Sequence, residues 1–241
     1  MAEGIITRRG GGVPSVVATG GTVTDIEMLG GVTYRVHTFT SDGTFEVTRG
    51  GEVEVFVQGG GGGGGTGSAR FADGAGGGGF VRALFTVPVG STAIVVGSGG
   101  APFTGCSTAG NSIRGATGGT SSFATIEGLG GQGSAADPNF GAGGGTVTTG
   151  AKQVLVAQSG QNGQTGNAAF TNKGGDNGRR VADPFFCAWG AGAPATDNAV
   201  QPAQATGFGN GGSSQNSCQG QNPQGGSAGR QGIVIVRYRI G

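Results

Sequence analysis

Seven consecutive glycines, Gly59 to Gly65, constrain this chain more than any other feature. They belong to a wider bias: 60 of the 241 residues are glycine, about a quarter, against ~7% in ordinary proteins. Glycine costs ~1 kcal/mol at each interior position of a helix. It recurs from one end of this chain to the other, so a mainly helical fold is excluded. A collagen triple helix needs glycine at every third position along its length, and this chain does not keep that spacing. Glycine (60) and proline (8) together reach a share typical of disordered low-complexity chains. Thirteen phenylalanines and several blocks of clean apolar alternation oppose that reading and predict ordered β structure.

The charge balance excludes further classes. Fourteen basic and thirteen acidic residues leave a net charge of +1, so no field exists to hold nucleic acid. No apolar run reaches the 18 residues of a membrane span, which predicts no membrane insertion. Met1-Ala2-Glu3-Gly4 opens without the apolar core of a secretory signal, which predicts a protein assembled in a cytoplasm.

Alternation places the strands. Val32 to Thr40 (VTYRVHTFT) sets Val32, Tyr34 and Val36 on one face and Arg35, His37 and Phe39 on the other. Ser41-Asp42-Gly43 reads as a hairpin turn, Thr44 to Thr48 as the return strand, and Glu52 to Gln58 as a third strand. The three predict an antiparallel meander. Phe80 to Val87 and Thr92 to Val96 follow as strands, and Ile233 to Ile240 (IVIVRYRI) closes the chain. The fold class expected is all-β, a small antiparallel sandwich or barrel with a long glycine-rich insertion. Residues 1–31 read as a docking arm, 32–96 as a β core completed by 233–241, and 97–232 as the insertion. A structureless loop of that length does not suit a compact domain. Polyglycine offers another order: an extended helix of the polyproline II type, with three residues per turn. Packed side by side, such helices can share backbone hydrogen bonds and Cα–H···O contacts.

Signals for catalysis are weak. The one histidine, His37, falls mid-strand and reads as structural, although any Ser-His-Asp triad would have to use it. Gly225-Gly226-Ser227-Ala228-Gly229 matches a nucleophile elbow in letters only, because it precedes a strand and opens no helix. GxGxxG matches arise by chance at this glycine content. Cys106, Cys187 and Cys218 are odd in number with no C-x-x-C pair, and are expected as free thiols. No catalytic residue, metal site or cofactor is predicted. The acids of the insertion, among them Asp137, Asp176, Asp183 and Asp197, are the only candidates there for a polysaccharide-cleaving pair.

Aromatics among the glycines are the binding candidates: Trp189 with Phe185 and Phe186, then Phe208 and Phe103. Such rings stack on sugars or anchor protein contacts, or else they fill gaps in a core. Ile5, Ile6, Arg8 and Arg9 are the candidates for docking through the arm.

Val32 to Thr40, then Gly43-Thr44-Phe45-Glu46-Val47, then Val53 to Val57 running into polyglycine, resemble the glycine-rich domain of tailed-phage virion proteins. Gly232 to Ile240 is similar to that domain's closing strand, and Gly118-Gly119-Thr120-Ser121-Ser122-Phe123 to an internal step. The resemblance implies a non-enzymatic structural protein of a virion, on the tail or capsid surface. A homotrimeric tail fibre or tail-tip adhesin is the first reading, and a capsid decoration or head-fibre protein the alternative. A polysaccharide-degrading tailspike and an extracellular matrix protein rank lower. Its partners would be other tail, baseplate or capsid proteins, and a host surface glycan or outer-membrane protein. Some related adhesins fold their glycine-rich part as a bundle of polyglycine helices whose loops touch the receptor. For this chain, such a bundle and a mixture of strands with glycine-rich loops both remain open.

Overall fold

The computed structural model describes residues 16–28, 31–67, 74–103, 113–134, 141–163, 207–212, 215–216 and 226–240. In chain order its strands are β1 (Val17–Thr19), β2 (Thr22–Met28), β3 (Val32–Phe39), β4 (Gly43–Arg49), β5 (Gly51–Gln58), β6 (Thr66–Gly67) and β7 (Phe80–Val87). Then follow β8 (Gly90–Val95), β9 (Ser121–Phe123), β10 (Ile126–Gly128), β11 (Thr146–Thr148), β12 (Gln153–Gln158), β13 (Gln215–Asn216) and β14 (Ile233–Arg239). Twelve of them form two six-stranded antiparallel sheets, ordered β1-β4-β8-β9-β10-β11 and β12-β7-β5-β14-β3-β2. The sheets face each other as a sandwich and do not close into a barrel. No helix occurs among the described residues.

The expected meander does not form. β3 and β5 lie in one sheet while β4, between them in sequence, lies in the other. Ser41-Asp42-Gly43 is therefore an arch between sheets, and Asp42 Oδ1 secures it by accepting from the Val96 amide at 2.8 Å. Alternation fixes each strand's buried face but not its partner, and here burial between two sheets outweighs local pairing. β3 pairs instead with β14, which also pairs with β5: Val236 stands opposite His37 on one side and Val55 on the other. Residues 17–28, read from sequence as part of an arm, are strands β1 and β2 at the edges of the two sheets. The insertion likewise supplies β9 to β12.

The core lies between the sheets. Phe45, Val47, Ile94, Phe123 and Ile126 from one sheet meet Val53, Val55, Val57, Val81, Ala83, Val234 and Val236 from the other, all buried. The outer face of the second sheet holds a further buried cluster of Val36, Phe56, Phe80, Ile233 and Ile235. Beside it Glu54 pairs with two guanidinium groups. It contacts Arg82 on one side and accepts from Arg237 Nη2 at 2.7 Å on the other. Arg237 also lies over the Tyr34 ring, 5.2 Å from its centre.

Candidate functional site

The glycine runs between the strands are ordered. Among the described residues, nine extended segments stand on one end of the sandwich, and all but one lie within one residue of the strand they follow or lead into. We label them s1 (59–65), s2 (74–79), s3 (97–103), s4 (114–119), s5 (128–134), s6 (141–145), s7 (160–163), s8 (209–212) and s9 (226–232). In s1 the hydrogen bonding repeats every third residue. The amides of Gly59 and Gly62 donate to Gly79 and Gly76 of s2, those of Gly60 and Gly63 to Gly119 and Ala116 of s4, and those of Gly61 and Gly64 to Arg230 and Ser227 of s9. Its carbonyls accept from the other neighbours. Gly60 and Gly63 take the amides of Gly131 and Ser134 in s5, Gly61 and Gly64 those of Gly100 and Phe103 in s3, and Gly62 that of Gly212 in s8. A three-residue period with no bonds inside a segment is the signature of a polyproline II-type helix.

The six neighbours of s1 also close on one another. Bonds join s2 to s5, s5 to s4, s4 to s3, s3 to s9, s9 to s8 and s8 back to s2. The result is a hexagon around a central polyglycine helix, with s6 packed outside it against s2 and s5 and s7 against s2 and s6. A segment surrounded on every side has no room for a Cβ. At Gly60 a Cβ would lie 2.1 Å from Ser98 O, and at Gly62 2.1 Å from Gln132 O. The hydrogens at those places are aimed at carbonyl oxygens, as in Cα–H···O contacts. This is why the unbroken glycine run is the central segment, whereas ring segments carry side chains at outward-facing positions. In s5, for example, Leu129 and Gln132 face outward while Gly128 and Gly131 face in.

Segments s1, s3, s5, s7 and s8 run away from the sandwich, and s2, s4, s6 and s9 run back. The ends at residues 65, 74, 103, 114, 134, 141, 163, 212 and 226 therefore gather at the far end of the bundle. At ~3.1 Å per residue, s1 carries that end roughly 20 Å from the sheets. There β6 and β13 pair in parallel, Thr66 opposite Gln215. The chain enters residues 68–73, 104–112, 135–140, 164–206 and 213–214 from this end, all outside the described residues, as are 217–225.

Of the aromatics singled out in the sequence, Phe103 closes s3 at the far end, half-buried, its amide bonded to Gly64 O and its carbonyl to the Gly226 amide. Phe208 lies at the opposite end, packed on the outer cluster of Phe56, Phe80 and Ile235. The two are not brought together. Trp189, Phe185 and Phe186 lie outside the described residues, as do Ile5, Ile6, Arg8, Arg9 and the three cysteines. Among the described residues no three His, Cys, Asp or Glu side chains gather as metal ligands would.

His37 sits in the core with no exposure. Its Nδ1 lies 2.8 Å from Gly20 O and therefore carries the proton, while Nε2 accepts from the Tyr238 hydroxyl at 3.1 Å. Burial lowers its pKa and keeps the ring neutral; the Gly20 carbonyl opposes this only in part. The ring holds the turn Gly20-Gly21, where positive φ values let the chain cross from β1 in one sheet to β2 in the other.

The architecture defines a class: an antiparallel β-sandwich that carries a hydrogen-bonded polyglycine bundle on one end. The family model described as glycine-rich domain matches residues 38–239, and the chain belongs to that family. No curated protein matches the chain.

Proposed function

We propose that this protein is a non-enzymatic structural component of a tailed-phage virion, a tail fibre or tail-tip protein that attaches to the host surface. One observation carries the reading: the bundle gathers the ends of all nine segments at a single far end, held by a rigid hydrogen-bonded lattice. Rigid scaffolds that present chain connections together are how proteins commonly build binding surfaces. The ligand class is a host surface glycan or outer-membrane protein, and the sandwich end faces the other virion proteins. The assembly that accompanies this role is a homotrimer.

Immunogold labelling of intact particles with antibodies to the purified protein tests the reading. Gold at the tail tip or fibres, together with binding of the purified protein to host cells, is the expected result. Gold spread over the head would overturn it and make this a capsid decoration protein.

A further inference from the structure

Among the described residues the outer sides of several ring segments carry no further segment, and on s5 such a side is recessed into a groove. Segment s5 has s1, s2, s4 and s6 around it, and no other described segment bonds to the side between s4 and s6. The three-residue period assigns that side to Gly130 and Gly133. Residues 129 and 132 donate to s6 and accept from s2, and residues 131 and 134 donate to s1 and accept from s4. Gly130 and Gly133 form no such bond with either their amides or their carbonyls among the described residues. Gly133 is nonetheless buried. Buried backbone groups are paired in well over 90% of cases.

A groove of about 310 Å³ lies over these two glycines. Arg114 and Thr117 of s4 line one side, the backbone of s6 the other, and Leu129 and Gln132 stand beside the floor. Arg114 is the one charged residue lining it among the described residues, and most of the surface is bare backbone. The open donors and acceptors recur at a spacing of three residues, which a β-strand, with its period of two, does not match. A further segment laid here would bond to s5 as its existing neighbours do, so the groove continues an interface the chain already uses nine segments to build.

We infer that this flank groove binds an extended glycine-rich segment of a partner protein, which adds one more polyglycine helix to the bundle. The partner's chemistry follows from the lattice. Its carbonyls accept from the Gly130 and Gly133 amides, and its residues facing s4 and s5 lack side chains, as in s1.

A hexaglycine peptide with lysine ends is the probe, added to the full chain. Amide exchange at Gly130 and Gly133 slows by about tenfold or more at saturation. A peptide with alanine in place of glycine binds at least about tenfold more weakly. Thr117→Phe fills the groove from an exposed position and abolishes peptide binding; its unfolding midpoint is measured alongside, and Gln132→Trp serves if that variant does not fold. Unchanged exchange at the two glycines would overturn the inference, as would equal binding of the alanine peptide. Peptide-free self-association that Thr117→Phe abolishes would also overturn it, by assigning the groove to a second copy of the chain.

Discussion

Replacing Gly62 with alanine sets two opposing effects against each other at the centre of the bundle. Alanine restricts the unfolded chain, and where the native site tolerates it, this stabilises by ~0.4–1 kcal/mol. At Gly62 the new Cβ would lie 2.1 Å from Gln132 O and 2.4 Å from Gln132 C, where ordinary contact begins at 3.4 Å. The obstacle is backbone, so s5 must retreat by about 1.3 Å. That segment is tied down on both sides of the contact. Gly76 donates to Gln132 O at 3.0 Å, Gly131 to Gly60 O at 2.9 Å and Ser134 to Gly63 O at 3.1 Å. A shift of that size stretches at least two of these bonds past useful length. Each buried group left unpaired costs ~1–3 kcal/mol. The net expectation is a loss of about 2–5 kcal/mol, a large part of the 5–15 kcal/mol that holds a typical domain. Urea unfolding of Gly62→Ala against the parent chain measures it, with Gln132→Ala as the control. Gln132 is exposed, so its removal should stay within ~0.5 kcal/mol. A neutral or stabilised Gly62→Ala would refute the lattice argument, because the unfolded-state gain would then be the only effect present.

Three further outcomes follow from other parts of the molecule. The amides of Gly60 to Gly64 all donate to neighbouring segments, so their hydrogen exchange, followed by NMR, should be as slow as that of β5 and β14; free exchange there would mean that the bundle opens independently of the sandwich. Burial holds His37 neutral in the folded state, so the unfolded chain takes up its proton first as pH falls. Stability should be complete above pH ~6.5 and decline below it through the window between the unfolded and folded pKa values; unfolding free energies across that range should show a step that His37→Phe removes. Glu54→Gln leaves Arg82 and Arg237 facing each other, Arg237 with only 9% of its side chain exposed. It should cost about 3–5 kcal/mol by denaturant unfolding, and a cost within error of zero would show the charges to be solvated.

Much of the fold was legible in the residues. The alternation of Val32 to Phe39, Glu52 to Gln58 and Ile233 to Tyr238 identified strands, because a half-buried strand must place apolar groups at every second position. The seven-glycine run marked a place where no side chain could be tolerated. A further signal lay in Gly226-x-x-Gly229-x-x-Gly232 in s9, with Ser227, Ala228, Arg230 and Gln231 between. That period of three marks the face of a polyglycine helix turned toward its neighbours. It is short, and the glycine background hides it.

Pairing was not legible. β3, β4 and β5 follow one another through links of a few residues, yet they divide between two sheets, and β3 finds its partner in β14 almost two hundred residues later. The strands at 17–28 were hidden because their residues are mostly exposed at the sheet edges and show little alternation of burial. The composition alone determined that this chain avoids helices, forms short strands, and must find an order for glycine that needs no side chains. Only the tertiary structure decided that the order is a hexagon around Gly59 to Gly65. The reason is physical: a polyglycine helix makes no hydrogen bonds within itself. Its stability comes wholly from its neighbours, and the chain's own sandwich places those neighbours.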